Sequence, residues 1–150
     1  MNLRTALRKA PDDEVIFVGS RSSYVVIGTK EEILKMCPKI DEFYRFQMWE
    51  GYLNAAKRSE SEKDEKMKEM RKRMAETCLA RYVYTIQQPF LKREVIESEP
   101  ILQGWKIVVT GFEEGRFWFQ HEYEEGKKVY EKRKRLQKQP PSMEELSNHA

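Results

Sequence analysis

Two rhythms of apolar and polar positions divide the chain. Near the N-terminus, Val15-Ile16-Phe17-Val18 and Tyr24-Val25-Val26-Ile27 are short unbroken apolar runs, each closed by a glycine (Gly19, Gly28). Runs of this length with β-branched and aromatic residues predict strands, and the polar link Ser20-Arg21-Ser22-Ser23 predicts a hairpin. A second pair of such runs, Trp105 to Gly111 and Arg116 to Phe119, flanks Glu113-Glu114-Gly115 and predicts a second hairpin. Arg93 to Glu97 reads as a weak strand, with Pro100 as a break.

Helical spacing governs most of the rest. Leu3, Ala6, Leu7 and Ala10 mark a short amphipathic helix ended by Pro11-Asp12-Asp13. Thr29 with Glu32 has the spacing of a capping box, and Pro38 predicts an early end to the helix they open. Asp41 then reads as the cap of a main helix whose buried line is Phe43, Phe46, Trp49, Leu53 and Ala56. Between Lys57 and Lys66 no apolar residue occurs, a solvated helix or a connecting loop. The line resumes as Met67, Met70, Met74, Cys78, Tyr82 and Ile86 until Pro89, which predicts two antiparallel helices rather than one long rod. Glu122 and Tyr123 open a last helix. The sum is an α+β fold: a small antiparallel sheet from two terminal hairpins packed with two long central antiparallel helices. Residues 1–138 form one domain and residues 139–150 a flexible C-terminal tail.

Composition narrows the function classes. The 150 residues are 39% hydrophobic and 35% charged, so part of the chain is exposed helix. With 28 basic against 25 acidic residues the net charge is only +3, which disfavours a dedicated nucleic-acid binder. The exception is Lys127 to Lys138, where seven basic residues meet one acidic. Two distant cysteines, the lack of an apolar run of membrane-spanning length and the lack of a signal core point to a soluble protein of the (host) cytoplasm.

No catalytic pattern stands out. His121 and His149 are the only histidines, no His/Cys set has zinc spacing, and no Gly-x-Ser-x-Gly turn occurs. The expectation is a protein that is not an enzyme and holds neither cofactor nor metal. Binding chemistry is more visible. Ser20, Arg21 and Ser23 place hydroxyls and a guanidinium in one turn, where backbone N–H groups can also cradle an anion. The bland alternative is an ordinary polar hairpin turn. Arg116 and Trp118 share one strand face and could charge-pair with and stack on a nucleotide, unless Trp118 only caps the sheet. Tyr24 is a second stacking candidate and Arg93 a further phosphate contact.

Taken whole, through Leu3-x-x-Ala6-Leu7 before Pro11-Asp12-Asp13, Val18-Gly19 with Ile27-Gly28, and Trp105-Lys106-Ile107-Val108-Val109 with Gly111, the chain resembles small phage and prophage accessory proteins of Firmicutes. Gly115-Arg116-Phe117-Trp118 before Glu122-Tyr123 completes the likeness. Among them the chain most resembles the anti-Thoeris sponges, which capture cyclic ADP-ribose signals. That resemblance implies a phage counter-defence protein that sequesters a cyclic nucleotide without catalysis, as a homodimer or larger homo-oligomer. The ligand-binding set expected is Ser20, Arg21, Ser23, Tyr24, Arg93, Arg116 and Trp118. The alternative is a phage inhibitor that works by protein contact on a host defence or nuclease complex, with residues 127–138 as its working surface.

Overall fold

A computed structural model describes residues 1–111, 119–137 and 140–148. The chain is α+β, with a four-stranded sheet and two long central helices, as the periodicities predict. It forms two compact units: residues 1–40 with 89–136, and residues 41–88 with 137–150.

In the first unit, α1 (Leu3–Lys9) is capped by Asn2, whose Oδ1 accepts from the Thr5 N–H at 2.9 Å. Leu3, Ala6, Leu7 and Ala10 are all buried, so the predicted stripe is the core-facing one. β1 (Ile16–Gly19) and β2 (Tyr24–Gly28) form the expected antiparallel hairpin. β4 (Gly104–Val109) is the other central strand, and β3 (Val95–Ile101) lies at the far edge, giving the order β2-β1-β4-β3. β1 and β4 run parallel, and this parallel seam joins two antiparallel hairpins into one mixed sheet. Ile107, Val108 and Val109 are consecutive and all buried, so β4 is covered on both faces, as its unbroken apolar run implies.

The second described hairpin is β3–β4. β4 pairs with β1 on one side and β3 on the other, and residues 116–118 of the expected second arm lie outside the described residues. Phe119 already begins α4 (Phe119–Leu136), ahead of the expected start at Glu122, and residues 112–118 lie outside the described residues. Pro100 does not break β3. It pairs with Trp105 on the edge strand, where a missing N–H costs no ladder bond on the open side. The N-terminus adds an irregular fringe: Leu3 N–H donates to Arg93 O and Val95 N–H to Met1 O, both at 2.9 Å. α4 packs against β2.

Thr29 caps α2 (Lys30–Ser61): its Oγ1 accepts from the Glu32 N–H at 3.2 Å and donates to Glu32 Oε1 at 3.1 Å. Thr29→Ala is expected to lower stability by about 1 kcal/mol, measured by urea unfolding. Pro38 lies inside α2 and does not end it, and Asp41 is an interior residue rather than a cap. A mid-helix proline costs about 3 kcal/mol. The buried line Ile33, Cys37, Ile40, Phe43 runs straight through it, and each such side chain contributes about 2 kcal/mol, so burial overrides the breaker.

In the second unit, residues of α2 from Asp41 onward and α3 (Glu65–Gln87) form an antiparallel helical hairpin. The Trp49 and Tyr82 rings meet at 5.2 Å, Gly51 lies against Cys78, and Ser59 Oγ donates to Lys68 O, a series running in opposite directions along the two helices, while Glu62, just past α2, pairs with Arg71. The charged stretch 57–66 is thus helix as far as Ser61, then a short link to Asp64, which caps α3 through the Lys66 N–H. The buried lines differ from those the spacing suggested. Leu53, Met70 and Met74 are 43%, 49% and 57% exposed, and the seam is built from Ala55, Ser59, Ala75, Tyr82 and Thr85. Small residues allow close approach: a Cβ on Gly51 would lie 3.2 Å from Cys78 Sγ. Residues 143–148 form a short helix, α5 (Met143–Asn148).

Among the described residues no helix is long and apolar enough to cross a membrane. Burial, then Glu131 and Tyr123, push the Tyr130 hydroxyl up to about 12. The folded protein therefore keeps this proton at a pH where the unfolded chain releases it. Its share of stability is complete below pH 10 and is lost as pH rises toward 12. Tyr130→Phe is expected to flatten the alkaline limb of a stability-versus-pH curve over that window.

Candidate functional site

Because β1 and β4 are parallel, their C-terminal ends lie at the same end of the sheet. The loop 20–23 leaves β1 there, Thr110-Gly111 leave β4 there, and the chain enters β3 there, with Val95 opposite Val109. Thr110 N–H donates to Glu94 O at 3.0 Å, which ties the last two together. The topology thus gathers Arg21, Arg93 and the exit toward residues 112–118 at one end, although they are far apart in sequence. Ends of parallel strands, where successive loops diverge, are common ligand positions.

Ser20 shapes this end instead of offering its hydroxyl. It is buried, its Oγ accepts from the Ser22 and Ser23 N–H groups at 3.3 and 3.1 Å, and it donates to Ser23 O at 3.3 Å. The Ser20 N–H donates to Ser23 O at 2.8 Å, closing the turn. Two N–H groups that could have cradled an anion are therefore satisfied by the turn itself, a serine-based local motif. Gly19 is required beneath it, since a Cβ there would sit 2.3 Å from Ser23 O. Ser23 is half-buried.

Arg21 is the solvent-facing cation of the loop, its side chain 67% exposed. Its Nε donates to Glu97 Oε1 at 2.8 Å. In register terms Gly19, Val108 and Glu97 lie side by side on three successive strands, so the ion pair spans β4 from the loop to the edge strand. No sequence pattern linked residues 21 and 97, and Glu97 is the member of this end that the sequence reading missed. Tyr24 packs its ring on Phe17 with centroids 5.2 Å apart and keeps partial exposure.

Arg93 is at the same end but only 2% exposed. Its carbonyl holds the start of α1 through the Leu3 N–H, and its own N–H donates to Phe90 O at 3.2 Å. A guanidinium so buried is part of the packed interior rather than a solvent-facing contact. Arg116 and Trp118 lie outside the described residues. Of the seven candidates the structure thus brings Ser20, Arg21, Ser23 and Tyr24 into one turn, with Arg93 buried at the same end of the sheet.

Elsewhere, α4 turns Tyr123 and Tyr130 to one side, with Lys127 and Lys134 above their rings at 5.6 and 5.9 Å. Lys128, Lys132, Arg133 and Arg135 are exposed, as are Val129 at 59% and Leu136 at 76%. Among the described residues no group of three His, Cys, Asp or Glu side chains is placed to hold a metal ion. Comparison with known proteins finds no matching family model, no matching curated protein and no matching solved structure.

Proposed function

We propose that the chain is a non-catalytic binder of a small anionic nucleotide, of the cyclic ADP-ribose type, and that it acts as a phage counter-defence protein by sequestering that signal. The observation that carries this reading is the exposed Arg21 guanidinium, fixed by Glu97 at the end of the sheet where both parallel strands terminate. A guanidinium engaged through Nε still has its two Nη nitrogens for a phosphate. Tyr24, braced by Phe17, is three residues away and offers an aromatic face to a base. Ser20 would then support by holding the loop's shape, and Arg93 from the packed interior rather than by contact.

The test is a thermal-shift screen of cyclic ADP-ribose isomers, cyclic dinucleotides and cyclic trinucleotides against linear nucleotides. A binder of the native state raises Tm by mass action. The expected result is a shift for one cyclic nucleotide that Arg21→Ala abolishes; a flat panel overturns the reading. Glu97→Gln releases Arg21 from its carboxylate and is expected to tighten binding by about threefold, the scale of an exposed ion pair.

The exposed basic face of α4, with Val129 and Leu136 among its charges, favours one second reading: an inhibitor that docks on a host defence or nuclease complex. Reversing the charges of Lys132, Arg133, Lys134 and Arg135 is expected to abolish that activity and leave a nucleotide shift intact.

A further inference from the structure

α4 has two unlike sides. The inner side holds Tyr130, which is buried, and Tyr123, which is half-buried, and the helix packs against β2. Lys127 and Lys134 lie over those two rings, so their charges reach the rim of the packed side. On the outer side Lys128, Lys132 and Arg135 follow at steps of four and three and line one face. All three are exposed, as is Arg133, and helical geometry sets Val129 and Leu136 between Lys132 and Arg133. Among the described residues Lys128 and Lys132 enter no ion pair, although Glu124 stands four residues before Lys128. Arg135 donates to a carbonyl of its own helix, Glu131 O, at 3.3 Å. The Glu131 side chain, the single acidic group of the stretch, is half-buried.

Helix electrostatics account for part of this charge. The macrodipole favours cations in the last turn, here Arg133, Lys134 and Arg135. Its effect fades within that turn and gives no reason for Lys127 and Lys128 further in. From Lys127 to Arg135 six cations occupy about 12 Å of helix axis, one charge in roughly 2 Å. Duplex DNA carries one phosphate charge in about 1.7 Å of its own axis. Other anionic partners match less well. A membrane takes up apolar side chains, and the tyrosines of α4 are turned into the fold, which leaves Val129 and Leu136 as its large exposed apolar groups among the described residues. Lysine is depleted from protein–protein interfaces, whereas lysine and arginine are the usual contacts of phosphate backbones.

We propose that the outer face of α4 is a nucleic-acid surface, on which Lys128, Lys132, Arg133 and Arg135 neutralise phosphates of a DNA or RNA backbone without reading base sequence. The small net charge of +3 is a sum over the whole chain, while a phosphate within a Debye length of about 8 Å meets chiefly this face. The surface uses no residue of the loop 20–23 or of the β3 entrance, so it stands whether or not a nucleotide binds at the end of the sheet.

Fluorescence anisotropy of the full-length chain tests it with three labelled probes of roughly 20 nucleotides per strand: a DNA duplex, its single strand and an RNA duplex. Binding to at least one probe is expected, with Kd in the range of about 1–100 µM near physiological salt. Four neutralised phosphates give log K against log salt a slope of about −3 to −4. The triple variant Lys128→Gln, Lys132→Gln, Arg135→Gln is expected to bind at least about tenfold more weakly, with a slope shallower by about 2 to 3. Glutamine keeps the helix propensity and all three positions are exposed, so the fold is retained, which an unchanged Tm verifies. A second variant removes equal charge from exposed positions of α3, Lys66→Gln, Lys68→Gln and Lys72→Gln, and is expected to bind as wild type does. An equal loss in both variants overturns the proposal, since net charge rather than this face would then govern binding. Silence on all three probes also overturns it; co-sedimentation with phosphatidylglycerol vesicles would then assign the face to a membrane, and its absence to a protein.

Discussion

Gly104→Ala is expected to lower stability by about 3 kcal/mol, because the position has no room for a single methyl group. A Cβ built there lies 2.1 Å from the carbonyl oxygen of Val15 and 3.1 Å from its carbon, and both are backbone atoms. A side chain could rotate aside; a backbone carbonyl cannot. That carbonyl is also fixed from the other side, since it accepts the Trp105 N–H at 2.9 Å. Relief therefore requires β1 and β4 to separate at their first register pair, Ile16 opposite Trp105. Those two strands are the centre of the sheet and the source of the parallel end on which the candidate site is built. For a chain of this length a loss of that size corresponds to roughly 10 °C in Tm. Thermal unfolding followed by circular dichroism checks it, and a Tm within two or three degrees of wild type contradicts the steric argument. The same variant is expected to lose any nucleotide-induced shift, as the loop 20–23 and the β3 entrance are positioned through this seam.

Tyr82→Ala is expected to cost about 4 kcal/mol, and Tyr82→Phe only about 1 kcal/mol. Tyr82 is 1% exposed and is the largest fully buried side chain of the second unit. That unit has few others: among its described residues Phe43, Phe46, Ala55, Ser59, Ala75, Tyr82 and Thr85 are the buried set, and four of these are small. Removing the ring takes from Trp49 one of its two ring neighbours, leaving Tyr52, and opens a cavity in a helical layer with few other large buried side chains. Removing the hydroxyl alone deletes one hydrogen bond to Pro141 and keeps the packing. Urea unfolding of the two variants separates these contributions. Equal losses in both would mean that the hydroxyl, rather than the ring, holds the hairpin.

Short-range chemistry made several elements legible. The stripe of α1, the β1–β2 hairpin and the Thr29 cap are each specified by residues within a few positions of one another, where periodicity and side-chain hydrogen bonding act directly. The loop Ser20–Ser23 was visible as a polar turn carrying an arginine. Its inner wiring was not, because whether Ser20 Oγ faces a ligand or its own turn depends on how the loop closes. The helix end expected at Pro38 and the strand break expected at Pro100 failed for two different tertiary reasons. One proline lies on a helix whose burial outweighs the lost bond, and the other on an edge strand whose outer side has no ladder to complete.

By itself the sequence determined which segments are strand-like or helical, the two-helix centre, and the presence of a cationic turn. These follow from local propensity and period, which need no knowledge of the rest of the chain. Only the tertiary structure decided that β4 takes β3 and β1 as partners, that their parallel seam brings Arg21, Glu97 and Arg93 to one end, and that methionines 70 and 74 face outward. Strand partners and helix rotation are set by which buried surfaces fit together across distant parts of the chain. That choice rests on differences in packing and close backbone approach, such as Gly104 against Val15, which no local pattern records.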